Sequence, residues 1–270
     1  MTAVWSWADL GDHSLQKYNI KQYWLLLSVL SVRKFNPEWK RLFVVDDATY
    51  KFICKHNWCD LWDEIKVIDF TDTEYGNLYN INIYSWPKIY SYGIVDDDMI
   101  AIDIDIVFID RCVIKDTTRI GGKLYDHIND FNVNHVGPMA NLSYKKDALM
   151  NIQKHIKNIK NFNKLNMGDV CLIGSPIYCP YHLGKNVQNI LKYIIDIENV
   201  FGGLLPDDCH CELEEEWPIA KIGHDNGGLW EIDDTVYKHG YTSQAYETIN
   251  SGISKPETIL GINVFEKYMN

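Results

Sequence analysis

The first hundred residues alternate between two periods of apolar residues. Residues 3–7 form a short β-prone run. Residues 14–35 then place apolar side chains at helical spacing until Asn36-Pro37 stops them. A compact apolar run, 42–45, predicts a strand ending in Asp46-Asp47. It is followed by a helix over 48–56 and a further strand over 65–68. Ser85-Trp86-Pro87 is a good helix start, since serine caps an N-terminus and proline is tolerated in the first turn; the pattern carries that helix to about residue 95. Residues 99–102 predict another strand, ending at Asp103. The second half is less regular. It predicts a helix over 145–161, a strand over 170–173 and a helix over 183–199, then short strands and loops around a site in the last seventy residues.

Strands alternating with helices predict an α/β fold: a mainly parallel sheet with helices on both faces, in a single domain. Ligands of such sheets sit beyond the carboxyl ends of the strands. Trp5 and Trp7, Asp46 and Asp47, and Asp103 and Asp105 all fall at or just past predicted strand ends, so three segments are expected to share one crevice.

The densest chemical signal is Asp103-Ile104-Asp105, set in an otherwise apolar stretch. Continued as a strand, that stretch would point both carboxylates the same way, because side chains two apart share a face. Two anions so close in apolar surroundings repel each other unless a cation compensates, and Mg²⁺ or Mn²⁺ is the natural partner. The plain alternative is a turn between two strands with both aspartates in water. Asp96-Asp97-Asp98 is expected to be such a solvated turn.

Charge narrows the partners. The chain of 270 residues carries a formal net charge of −11 and has no basic footprint, which argues against nucleic acid. Its lysine-rich stretch, 145–164, reads as a solvated helix face. An acidic protein that takes an anionic ligand needs local positive charge, and a metal ion supplies it. No apolar run reaches the ~18 residues of a membrane span. Seven cysteines without a regular framework, and no signal peptide, predict reduced thiols and a cytoplasmic location. Cys209-His210-Cys211 forms a zinc site only if Cys54, His56 and Cys59 are stretched into a second pair.

With these residues in place the chain resembles the GT-A glycosyltransferases, whose D-x-D follows a strand about a hundred residues into the domain. Their base-stacking aromatic near the first strand has counterparts in Trp5 or Trp7, and their W-x-K helix in Trp86-Pro87-Lys88. Asn166-Met167-Gly168-Asp169 is similar to the turn that lines the donor sugar. Tyr237-Lys238-His239-Gly240 resembles the segment whose histidine completes the metal site. The H-x-x-G-x-x-K pattern of some members is not reproduced, and His224 is a competing histidine.

The resemblance implies a nucleotide-binding half over 1–110 and an acceptor and donor-sugar half over 111–270. It implies Mn²⁺ or Mg²⁺ on Asp103, Asp105 and His239. Trp5, Trp7, Asp46, Lys88, Asp103, Asn166 and Gly168 would lie around a UDP-sugar, or a GDP-sugar, with a glycan, protein or small molecule as acceptor. Asp169 and Glu198 are candidate general bases. Glu214-Glu215-Glu216 reads as a solvated face, although one of the three could serve instead. Two other readings stand beside this one. Asp103-Ile104-Asp105-Ile106-Val107 also matches the first motif of haloacid-dehalogenase-like phosphatases, which would need Lys185 or Lys192 with Asp207-Asp208. A sugar-nucleotide-binding domain without catalysis is the other.

Overall fold

In the computed structural model, residues 1–9, 15, 19–76, 86–125, 172–192, 194–195, 215–239 and 268 are described. The first strand, β1 (Thr2–Trp7), leads to a long helix, α1 (Asn19–Phe35), which ends where Asn36-Pro37 predicts. β2 (Lys40–Val45), α2 (Asp47–Lys55) and β3 (Glu64–Val67) follow, each within two residues of its predicted start and end. After these come α3 (Trp86–Tyr92), β4 (Met99–Ala101), β5 (Ile106–Phe108) and β6 (Ile120–Tyr125). The later elements are β7 (Leu172–Cys179), α4 (Tyr181–Gln188), α5 (Trp217–Asp225), β8 (Leu229–Glu231) and β9 (Tyr237–His239).

Seven strands form one sheet in the order β3-β2-β1-β4-β7-β6-β8, and β5 pairs with β9 in a separate ribbon. Every neighbouring pair in the large sheet is parallel except those of β7, which runs against both β4 and β6. The fold is therefore α/β with a mainly parallel sheet. The chain winds outward from β1 to β3, then returns to the other side of β1 with β4. That reversal opens a crevice at the carboxyl ends of β1 and β4.

The central strands read as apolar runs because both of their faces are covered. On one face Val4, Leu42, Val44, Met99 and Ala101 pack under α3, α4 and α5, against Trp86, Ile89, Leu183, Val187 and Ile219. On the other, Ala3, Trp5, Phe43, Val45, Ile100 and Ile102 pack under α1 and α2, against Leu25, Val29, Phe52 and Ile53.

Two predicted features differ. β7 runs on to Cys179, well past the expected end at residue 173. It passes through Pro176 because the β6–β7 register breaks between Gly121 and Lys123, opposite the residue that has no N–H to give. The stretch 217–225, expected as loop and strand, is the helix α5, with Pro218 in its first turn. The predicted helix over 145–161 lies outside the described residues. Among the described residues no helix is long and apolar enough to cross a membrane, and Cys54, Cys59, Cys112 and Cys179 are free thiols.

Candidate metal centre

Asp103 and Asp105 meet by a route other than the strand pleat. β4 stops at Ala101, and the chain turns through Ile104 and Asp105, with the Ile106 N–H donating to the Asp103 carbonyl at 3.1 Å, before β5 begins. The turn expected of the plain alternative is therefore present, but the solvation is not. Asp105 is only 5% exposed, and Asp103 is half-buried.

Buried polar residues on α1 and just past its end hold this turn and the strand after it in place. Ser28 takes the indole N–H of Trp5 at 2.9 Å and donates towards the Asp103 carbonyl at 3.5 Å. Ser31 Oγ accepts the Phe108 N–H, and Asn36 Oδ1 accepts the Cys112 N–H, both at 2.9 Å. From the opposite side, Ser175 Oγ, inside the β7 irregularity, accepts the Asp103 N–H at 3.0 Å. These polar interruptions of an apolar helix are the brackets of the D-x-D loop.

The third candidate ligand arrives by strand pairing. β9 runs antiparallel to β5 with His239 opposite Ile106, which sets the imidazole beside Asp105. Its Nε2 lies 3.3 Å from Asp105 Oδ2. One ligand atom each from Asp103, Asp105 and His239 falls within 4.8 Å of the other two, and this is the one such group among the described residues. His224, the competing histidine, is exposed at the end of α5 beside Asp225.

Lys88, on α3, completes the charge pattern. Its ammonium lies 2.6 Å from Asp103 Oδ1 and also pairs with Glu215. Glu215 is 8% exposed and belongs to no solvated face, which corrects the expectation for that acidic triplet. It is buried because the chain enters α5 there, and that helix packs on the sheet through Ile219 and Ala220. Burial alone would lower the Lys88 pKa, but Asp103 and Glu215 more than offset it and hold the ammonium well above the usual lysine range. Burial likewise penalises the Asp103 carboxylate, and Lys88 more than offsets this and keeps it below its usual value. Burial pulls His239 towards neutrality, yet Asp105 and Asp103 outweigh it and leave the imidazole raised.

The donor set fits a divalent cation. Asp103, Asp105 and Glu215 bring three carboxylates to the group and Lys88 one ammonium, which leaves two negative charges when His239 is neutral. Asp105 Oδ2 is buried and makes no hydrogen bond of good geometry, an arrangement that costs free energy unless a cation occupies it. Oxygen-rich ligands with one imidazole suit Mg²⁺ or Mn²⁺.

A proton and the metal compete for His239. Metal affinity is therefore expected to be full well above the raised imidazole pKa and to fall as pH drops through it. In His239→Ala that pH dependence should vanish along with most of the affinity, as Mn²⁺ titrations at stepped pH would reveal. An affinity flat with pH in the parent would remove His239 from the ligand set.

Of the remaining predicted residues, Trp5 is corrected. It is 0% exposed in the core, so it has no free face for a base. Trp7 is half-buried at the carboxyl end of β1, with Lys21 Nζ 5.4 Å from its ring centre. Asp46 caps α2. Its Oδ1 accepts from Thr49 N and its Oδ2 from Asp9 N, each at 2.8 Å, which assigns it to the scaffold. Asp46→Ala should lower unfolding free energy by about 1–2 kcal/mol in urea denaturation and leave metal affinity unchanged.

Asp98, expected in a solvated turn, accepts from Tyr178 Oη at 3.0 Å and Tyr181 N at 2.8 Å, so it ties β7 and α4 to the start of β4. Lys185, which the phosphatase reading would recruit, donates to Gln188 on its own helix. Asn166, Gly168, Asp169 and Glu198, like Asp207, Asp208 and the Cys209-His210-Cys211 stretch, lie outside the described residues.

The sequence matches no protein-family model, and no curated protein matches it. Among solved structures, the chain is similar to PaToxG glycosyltransferase at 10% identity and a TM-score of 0.44, over 97% of this chain and 78% of that one. It is also similar to the apo form of mouse xyloside xylosyltransferase 1, at 11% identity and a TM-score of 0.44, over 86% of this chain and 84% of that one.

Proposed function

We propose that this chain is a metal-dependent glycosyltransferase that moves a sugar from a nucleoside-diphosphate donor, with UDP preferred over GDP, to a hydroxyl of a glycan, protein or small-molecule acceptor. The observation that carries the reading is the Asp103–Asp105–His239 group at the crevice of the sheet, with the charged Lys88 against Asp103. Asp103, Asp105 and His239 would hold Mn²⁺ or Mg²⁺, whose chemistry there is to neutralise charge on a diphosphate. Lys88, kept protonated by Glu215, supplies a second cation within reach of the same phosphates. Trp7 offers the aromatic surface for the base. Trp7, Lys88, Asp103 and Asp105 belong to residues 1–110, which we read as the nucleotide half, and to which His239 and Glu215 reach over from the second half. The sugar and acceptor fall to 111–270, with Asn166 and Gly168 at the sugar. Asp169 or Glu198 is the base if the enzyme inverts. A cytoplasmic location belongs to the same reading.

A panel of UDP- and GDP-sugars, incubated with the chain with and without Mn²⁺, tests it. Release of free nucleotide from one donor, dependent on metal and accelerated by an acceptor, is the expected result. Hydrolysis of a generic phosphate ester with every sugar donor untouched would instead favour the phosphatase reading and make Asp103 a nucleophile. Metal-dependent donor binding without turnover for any donor would favour a binding domain.

A further inference from the structure

The end of α2 holds two cysteines that the metal centre does not use. Cys54 lies in the last turn of that helix. The helix closes with Asn57 in the left-handed region at φ 58°, the Trp58 N–H on the Ile53 carbonyl at 2.9 Å, and the Asn57 N–H on the Cys54 carbonyl at 3.1 Å. This paired arrangement reverses the chain sharply and leaves the following residue over the final turn.

Aromatic packing fixes the reversal. Trp58 is buried, meets Phe52 edge-on at 5.6 Å and packs near His56 at 5.2 Å, and its indole N–H donates to the Tyr268 carbonyl at 2.9 Å. The next residue is Cys59, which opens a short 3-10 turn (Cys59–Leu61). Its sulfur lies 2.8 Å from that of Cys54, and both residues are half-exposed. Among the described residues they join no metal-ligand group, and His56 is not gathered with them into one.

We infer that Cys54 and Cys59 form a reversible disulfide site, oxidised by a low-molecular-weight disulfide and reopened by a dithiol. The backbone has already brought the sulfurs together, so closing the bond asks for little chain entropy. Burial and the neighbouring thiol push the Cys59 thiol up to about 11, which disfavours it as the first attacker and suits it to the second step. The Cys54 thiolate attacks one sulfur of the oxidant RSSR and releases RS⁻, leaving a mixed disulfide on Cys54. Cys59 gives its proton to a thiolate, attacks the Cys54 sulfur and expels the second RS⁻. Two thiols and RSSR become one intramolecular disulfide and two RSH, with two electrons passing to the oxidant. A pair of this kind suits a redox-responsive role in a reducing compartment better than a permanent staple.

The test uses the full chain in glutathione buffers of stepped oxidised-to-reduced ratio, followed by alkylation, digestion and mass spectrometry. A linked Cys54–Cys59 species should accumulate and disappear on dithiothreitol. At equal buffer ratio, its yield should be about tenfold higher in the native chain than in urea, where the reversal is lost. Cys59→Ser should stall with glutathione on Cys54, and Cys54→Ser should give no linked product. Equal yields in native and denatured chains, or full alkylation of Cys54 where other cysteines carry glutathione, would overturn the inference. Neither result bears on the glycosyltransferase reading, since the pair lies outside the metal centre.

Discussion

Asp105→Asn is expected to cut Mn²⁺ affinity at least ~100-fold and abolish metal-dependent nucleotide binding, with the fold about as stable as before. The substitution is nearly isosteric, so no cavity opens. The carboxylate it replaces is buried, makes no hydrogen bond of good geometry through Oδ2, and stands close to Asp103. Removing that charge relieves repulsion between two anions and gives up the contact with His239, two effects of opposite sign. Unfolding free energy should stay within about 1 kcal/mol of the parent. Calorimetric Mn²⁺ titration and thermal melts on the same preparation check both halves. A variant that binds metal normally would refute the ligand assignment, and one that unfolds would mark Asp105 as structural.

Lys88→Met carries the opposite signature. The lysine is buried between Glu215 and Asp103, and its loss takes one cation away from a buried carboxylate. Breaking such a pair from one side costs about 3–5 kcal/mol, because the partner's charge stays buried. Asp103 is more exposed and contributes the smaller share. Adding Glu215→Leu removes the buried carboxylate that Lys88 neutralises, and the double variant should recover part of the loss, with a coupling of about 1–3 kcal/mol. In that background Asp103 no longer shares its charge with an ammonium, so Mn²⁺ alone should bind more tightly while a nucleoside diphosphate binds less tightly. Urea denaturation of the four proteins of the cycle gives the coupling. Additive losses would mean that Lys88 and Glu215 do not act as a pair.

Local pattern made much of the first half legible. α1 ends at Phe35 because Asn36-Pro37 cannot continue a helix, and β2 keeps the limits of its apolar run to within two residues. Alternation misled at two points. It treated Asp103 and Asp105 as neighbours on a pleat, whereas β4 is only three residues long and a turn joins the carboxylates. It also gave Trp5 and Trp7 equal standing. Trp5 lies in the middle of a strand buried on both faces, and only Trp7 reaches the carboxyl edge.

Long-range contacts were harder to read. His239 was named only through the family resemblance; it reaches Asp105 through the β5–β9 pairing, and no spacing within either segment encodes it. Glu215 looked like one of three solvated glutamates. The signal that could have separated it is the Trp217-Pro218 pair just after it, which marks a helix start facing apolar surface. Ser28 and Ser31, polar positions on a largely apolar helix, and Asn36 just past its end were equally readable; Ser28 bonds the loop of the candidate metal ligands, and Ser31 and Asn36 hold β5 and the segment after it.

The most direct test of the central claim is calorimetry of UDP binding to the parent chain with and without Mn²⁺. Binding that requires the metal, and is weakened when protons displace it from His239, is the predicted result. Failure of both UDP and GDP to bind with Mn²⁺ present would contradict the assignment of this centre to a nucleotide diphosphate.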